Sequence, residues 1–283
     1  MKCKCCGSGQ HTHQTIRTSD YTICTCCGFM CTATSEKAQL VHHYRDRDPH
    51  ERVAAAKGAF FKTALDYLSD RVHDPRRSIL DIGCGYGYFL EHAAEREWVP
   101  YGVELVEDAV AGARERVGTD QIYHGSLRAA AYPSEMFHAL TVWDVLVHMD
   151  DPLAELKECY RILKPDGRIG IRVRNVVFQR KVYSAYRLAY PVAWMVGMKA
   201  PYVFHSQCFT PKSLQCLLDH AGFHRVQILN SPLSEGDPYA YTSFSWLTAS
   251  AKICVDAMAG TLYAMSGGRW VFGPSLLVWA AKP

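Results

Sequence analysis

Two short segments near the start of the chain repeat one pattern, Cys3-Lys-Cys-Cys6-Gly7 and Cys24-Thr-Cys-Cys27-Gly28. Each is a C-x-x-C pair followed at once by glycine. Two cysteines on such a tight turn can point their thiolates at one metal ion, and four thiolates close the tetrahedral structural site that zinc occupies. The glycine lets the backbone turn left-handed and bring its N–H groups toward the sulfur. That geometry selects Cys3, Cys6, Cys24 and Cys27 as ligands and leaves Cys5, Cys26 and Cys31 as alternates. Residues 15–24 alternate loosely, as a short hairpin between the knuckles would. His11 and His13 stand as substitute ligands, and the competing reading is a redox-active or merely cysteine-rich tail.

A second constellation follows at Ser78-Ile-Leu-Asp81-Ile-Gly83-Cys84-Gly85-Tyr-Gly87-Tyr-Phe-Leu90. It reads as a buried strand, a glycine-rich turn and the start of a helix, where a ligand can lie directly on backbone. The dinucleotide fingerprint does not fit, because its third glycine would fall where Tyr88 stands and Asp81 would crowd a pyrophosphate. A zwitterion suits the turn better. Its ammonium would face Asp81, and its carboxylate the loop N–H groups and helix N-terminus. Residues 99–105, Val-Pro-Tyr-Gly-Val-Glu104-Leu105, read as a second strand ending in an acid that can accept hydrogen bonds from a ribose diol.

A third group closes the strand His138-Ala-Leu-Thr-Val-Trp143-Asp144, which runs into Val145-Leu-Val-His148-Met-Asp-Asp151-Pro152. The carboxyl ends of strands are where ligands meet open α/β sheets. His148, an imidazole with an ordinary pKa of about 6.5, is the candidate general base for an oxygen nucleophile. The alternative is a histidine hydrogen-bonded beside the ligand with no proton role.

The elements that must hold these residues can be read in outline. Residues 52–72 show one helical pattern, with Phe60, Phe61, Leu65 and Leu68 near one face. A helix over residues 153–163 ends at Pro165-Asp-Gly167, and residues 168–173 form a fifth strand. Thr210 is an N-cap with Pro211 at the first helical position and Gly222 as the stop. A strand continues to Asn230, and Ser275-Leu-Leu-Val-Trp-Ala-Ala281 would pair antiparallel with it.

The runs Ile79-Leu-Asp-Ile-Gly-Cys-Gly-Tyr-Gly87, Gly102-Val-Glu-Leu105 and Leu163-Lys-Pro-Asp-Gly-Arg-Ile169 resemble the class I S-adenosylmethionine-dependent methyltransferase family, over about residues 52–230 and again in the last ten. The resemblance implies a doubly wound α/β fold with a seven-stranded, mostly parallel sheet. It places Asp81, Gly83 and Gly85 on the methionine moiety of S-adenosyl-L-methionine, with Cys84 and Gly87 in the same turn. Glu104 would hold the ribose hydroxyls and Leu105 would pack on adenine, with Asp144 completing the set. After the third strand Ser126 and Leu127 stand where the family usually carries an acid for the adenine amine, so a hydroxyl or backbone partner would serve. Many relatives carry Leu-Glu-His after the fourth strand; Leu146-Val147-His148 keeps only the histidine.

The implied organisation is a zinc-ribbon-like domain at 1–35, a linker at 36–51 in which Tyr44 is either a lid over the cofactor or part of a solvated connector, and a methyltransferase domain at 52–283. Insertions fall at about 176–209 and 232–272. The first, rich in aromatic residues, suits a substrate lid, core cover or peripheral membrane contact; the second, with its nearly apolar helical stretch, suits core cover, an oligomer face or membrane contact. Seven of 12 cysteines lie in the first 31 residues. The chain opens without a signal-like apolar run and has no stretch of about 18 apolar residues, so the expected compartment is the cytoplasm, where thiols stay reduced. A net charge of only +3 without a basic stripe argues against nucleic acid.

The resulting expectation is O-methylation of a small molecule: a sugar, lipid-linked saccharide or secondary metabolite. Two others compete with it, an RNA methyltransferase whose zinc module grips nucleic acid, and a non-catalytic protein that only binds the cofactor.

Overall fold

The computed structural model describes residues 2–16, 19–32, 47–195, 202–233 and 245–283. Tyr44 and most of the 36–51 linker lie outside them. Two sheets organise the chain. Strands β1 (His11–Ile16), β2 (Ser19–Cys24) and β3 (Met30–Thr32) form an antiparallel meander near the N-terminus.

The second sheet has seven strands: β4 (Ser78–Ile82), β5 (Val99–Glu104), β6 (Ile122–His124), β7 (Phe137–Trp143), β8 (Leu163–Arg174), β10 (His224–Asn230) and β11 (Ser275–Ala281). Their spatial order is β10-β11-β8-β7-β4-β5-β6. The five strands from β8 to β6 are parallel, and β11 runs antiparallel to both neighbours. Every residue of β4 and of β11 is buried, as strands covered on both faces must be. The chain leaves β4 first to one side and then to the other, so β4 and β7 flank the switch point where such sheets bind ligands. This is the doubly wound fold expected from the sequence.

The helical pattern over 52–72 is two helices, α1 (Arg47–Ala55) and α2 (Gly58–Ser69), and not one. The break falls at Lys57, just before Gly58, which favours a turn over a helix interior. The interruption carries the Lys57 ammonium toward the end of β7, while Phe60, Phe61, Leu65 and Leu68 remain in the core. Past the sheet's first turn come α3 (Tyr88–Ala94) and α4 (Glu107–Val117). Helix α5 (Pro152–Ile162) begins one residue earlier than its sequence pattern indicates, because the Asp151 carboxylate accepts from the Ala154 N–H and Pro152 takes the first position. Strand β8 is longer than expected, since it includes the irregular stretch from Leu163 before regular pairing with β7 resumes at Arg168.

The first insertion holds α6 (Val176–Leu188), α7 (Tyr190–Met195) and a two-residue strand β9 (Gln207–Cys208). Two residues are too few for any periodicity to announce. Strand β9 pairs with β3 through Met30↔Cys208 and Cys31↔Gln207, and so becomes the fourth strand of the N-terminal sheet. Helix α8 (Pro211–Ala221) follows at once. Its N-cap Thr210 and Ser213 bond reciprocally, a device that contributes about 1 kcal/mol. The second insertion contributes α9 (Ser245–Met265). No helix among the described residues is long and apolar enough to cross a membrane.

Candidate active site and metal-ligating cluster

Cys3, Cys6, Cys24 and Cys27 bring their sulfurs within 4.8 Å of one another. Two of the separations are 3.7 Å (Cys3–Cys27) and 3.5 Å (Cys6–Cys24). A tetrahedral ion with metal–sulfur bonds of about 2.3 Å requires sulfur–sulfur edges of roughly 3.8 Å, so the donor set fits one. The knuckles are built alike. Gly7 N–H donates to the Cys3 carbonyl and Gly28 N–H to the Cys24 carbonyl, both at 2.9 Å, and the two glycines have φ of 71° and 75°. A side chain at Gly28 would also meet Thr210 Cγ2 at 2.9 Å. Cys5 is fully buried in the core below, Cys26 is exposed and Cys31 lies on β3. His11 binds the Gly9 carbonyl and His13 the Thr22 hydroxyl, so neither joins the sulfurs.

At the switch point Asp81 sits level with Thr141 across β4 and β7, and the Thr141 hydroxyl donates to its carboxylate at 2.7 Å. Burial and the nearby Glu104 charge raise the Asp81 pKa to about 7, against the lowering effects of Thr141 and Lys57. Gly83, Gly85 and Gly87 all have positive φ, which keeps the turn open without steric cost. At Gly83 a Cβ would stand 2.5 Å from Val145 Cγ2, so the missing side chain lets this turn abut the turn after β7. Cys84 is buried beneath, its sulfur against Gly102.

Glu104 reaches back from the end of β5. One oxygen accepts from Leu105 and Val106 N–H at 2.7 and 3.0 Å, and the other from Gly85 N–H at 2.9 Å. A carboxylate offers about four acceptor positions, so one stays open for an incoming hydroxyl. Leu105 is 57% exposed beside it, an apolar surface on which a flat ring could rest. Ser126 is exposed and its hydroxyl accepts from Ala129 N–H, while Leu127 is packed into the core. The acceptor groups thus suit a ligand with an ammonium, a sugar hydroxyl and a flat apolar ring.

Asp144 has φ of 62°, an uncommon conformation for a non-glycine residue, at the end of β7. Its Oδ2 is shared by Lys57, at 2.7 Å, and Arg172. Despite burial, Arg172 and Lys57 hold the carboxyl below the usual carboxylate range. Oδ1 is buried with no hydrogen-bond partner among the described residues. Lys57 and Arg172 escaped the sequence reading. The signal was a strand with arginines at positions 168, 172 and 174 amid buried residues, which calls for buried partners.

His148 ends a 3₁₀ turn, Leu146–His148. Its ring lies 4.7 Å from that of His205 in an edge-to-face arrangement with an interplanar angle of 81°. His205 comes from the first insertion, and only the unforeseen β9 brings it there.

The profile of a family described as "Methyltransferase domain" matches residues 41–228. Among curated proteins, a ubiquinone biosynthesis O-methyltransferase of Xylella fastidiosa is 29% identical over 167 residues, 56% of this chain and 66% of that protein. One of the same name from Pseudomonas putida is 30% identical over 116 residues, 39% of this chain and 50% of that protein. The chain thus spans between half and just under two thirds of the length of these relatives. A SAM-dependent methyltransferase structure from Thermotoga maritima superposes with a TM-score of 0.51 at 19% identity, covering 85% of this chain and 97% of the other.

Proposed function

The chain belongs to the methyltransferase-domain family and is a class I S-adenosylmethionine-dependent methyltransferase, and from that premise we propose that it O-methylates a small-molecule acceptor. The acceptor we infer is a sugar, a lipid-linked saccharide or another secondary metabolite. O-methylation is also the reaction in the names of the curated relatives. The observation that carries the reading is the meeting of Asp81, the Gly83–Gly87 turn and Glu104 at the carboxyl ends of adjacent strands. S-adenosyl-L-methionine supplies a sulfonium methyl group whose transfer to oxygen leaves the electron pair of the broken C–S bond on sulfur.

In this reading the Asp81 carboxylate takes the ligand's ammonium, and Gly83, Cys84, Gly85 and Gly87 let its backbone lie close. Glu104 takes a ribose hydroxyl at its open acceptor position, and a second once the Gly85 N–H gives way. Leu105 covers the adenine face, with Ser126 and Leu127 at its edge and Asp144 at the far wall of the turn. His148 removes the proton of the acceptor hydroxyl as the new C–O bond forms. Alignment of nucleophile and methyl contributes much of the acceleration in such a displacement.

Cys3, Cys6, Cys24 and Cys27 would hold a structural zinc ion, which with four thiolate ligands would keep no open position for chemistry. The thiol-rich N-terminus favours a reducing compartment such as the cytoplasm.

Calorimetry with S-adenosyl-L-methionine and S-adenosylhomocysteine is the first test. Binding that disappears in Asp81→Ala and weakens at least tenfold in Glu104→Ala is expected; full affinity in both variants would overturn the site assignment. Screening hydroxylated acceptors with radiolabelled methyl donor then tests the reaction. Undiminished turnover in His148→Ala would remove the base.

A further inference from the structure

Two of the links between the N-terminal module and the rest of the chain fall on either side of His148. On one side β9 pairs with β3, and the Thr32 N–H donates to the Ser206 carbonyl at 3.0 Å. The buried Ser206 hydroxyl then donates to the Val147 carbonyl at 3.1 Å. On the other side Lys4, which lies between the ligands Cys3 and Cys6, donates from Nζ to the Asp150 carbonyl at 2.6 Å. His148 stands between Val147 and Asp150. The ring it faces, His205, precedes Ser206 on the same segment that the sheet recruits.

We infer that the metal-held knuckle is a positioning device for the His148 turn, with Lys4 and Ser206 as its two positioning residues. The inference rests on the reading of His148 as the base. A 3₁₀ turn of three residues has few hydrogen bonds of its own, so its geometry is set by what grips the carbonyls on either side of His148. One flank is gripped from the first knuckle. The other is gripped through a strand that continues from the second knuckle, past Phe29 and Met30. The packing is continuous as well: Cys3, Cys5, Cys24, Cys27 and Phe29 share a core with Leu146 and Val147. With the four sulfurs tied to one ion, both arms have a fixed origin. Without the ion they separate, and the two imidazoles lose their fixed relation. A module made to grip nucleic acid has no need of such arms.

The same knuckles offer an internal control. Lys212 donates to the Cys26 carbonyl at 2.7 Å from the α8 side, away from the His148 turn. Zinc-loaded protein labelled with ¹⁵N-histidine would be compared by NMR in the parent, Lys4→Met, Ser206→Ala and Lys212→Met forms, with ring signals assigned through His148→Gln and His205→Gln. Zinc content, thermal unfolding and S-adenosylhomocysteine affinity are measured on the same samples. Lys4→Met and Ser206→Ala are expected to shift or split the His148 and His205 signals while zinc stoichiometry and ligand affinity stay at parent values. Lys212→Met should leave both rings unmoved. Unmoved rings in both arm variants, or an equal movement in Lys212→Met, would overturn the inference. A parent protein that fails to bind S-adenosylhomocysteine strikes the cofactor reading instead, since the ring signals do not depend on it.

Discussion

The two sheets solve the same problem, holding polar groups in a fixed constellation, with opposite means. Both place positive-φ glycines close behind the functional residue: Gly7 and Gly28 next to the thiols, Gly83, Gly85 and Gly87 within six residues of Asp81. What stands behind those turns differs. The parallel sheet rests on two large clusters in which Leu80, Leu90, Phe137, Leu140, Ile169 and Ile171 are fully buried. The N-terminal sheet's own cluster is Ile16, Tyr21, Ile23 and Met30, closed by Val176 and Cys208 of the insertion, while its knuckles lean on the large core through Cys5 and Phe29. So small an apolar set falls short of the chain entropy it must offset, and a cross-link is required. Strand ends alone suffice where the core is large; where it is small, the ligand must build the site.

The sharpest way to break this contrast is to take the metal away. On the proposed zinc site, Cys24→Ser or chelation of the parent would remove a structural ion of the kind whose binding stabilises small zinc modules by roughly 10 kcal/mol or more. Hydrogen exchange should then show loss of amide protection through β1, β2 and β3, while β4, β7 and β8 keep theirs. Equal loss in both sheets would mean that the large core depends on the ion too, and the contrast would fall.

A smaller effect is expected inside the parallel sheet, where charge and not metal is the staple. Asp144→Ala leaves Lys57 and the buried Arg172 without their shared counter-charge, at a cost of about 3–5 kcal/mol. Denaturant midpoints measure it. Because Arg172 and Lys57 hold the Asp144 carboxyl low, its contribution is present at neutral pH and is lost as pH falls through that depressed value. A midpoint unchanged in Asp144→Ala would show the triad to be solvated in practice.

The sequence made the large sheet legible because its strands are long apolar runs punctuated by glycine, and because Asp81 and Glu104 close two of them. The clustering of Cys3, Cys6, Cys24 and Cys27 was legible for another reason: a C-x-x-C-Gly turn is a local device whose geometry needs no tertiary context. What could not be read depends on distant partners. Lys57 looks like a helix surface charge until Gly58 breaks the helix and Arg172 appears across the site. His205 and β9 have meaning only once β3 is alongside, and a two-residue strand has no period to detect. Residues 33–46, with Tyr44, lie outside the described structure.

The smallest effect is a proton. In the free protein burial and Glu104 raise the Asp81 pKa to about 7, so at pH 6 the side chain is mostly neutral. A carboxyl whose folded pKa is raised favours the fold below its unfolded pKa, and that contribution is lost as pH climbs through about 7. An incoming ammonium reverses the preference, because it favours the ionised form. Binding of S-adenosyl-L-methionine near pH 6 must therefore release a proton from Asp81. Its affinity should rise by up to about tenfold per pH unit toward pH 7, a slope of about 1.4 kcal/mol per unit. Above about pH 8 the ligand's own amino group deprotonates, and affinity falls again. Calorimetry at pH 6 in buffers of different ionisation enthalpy reads the released proton directly. Asp81→Asn should abolish both the release and the acid-side slope while the thiol cluster keeps its metal. A slope that persists in Asp81→Asn would place the titrating group elsewhere and separate the glycine-rich turn from the ligand's ammonium.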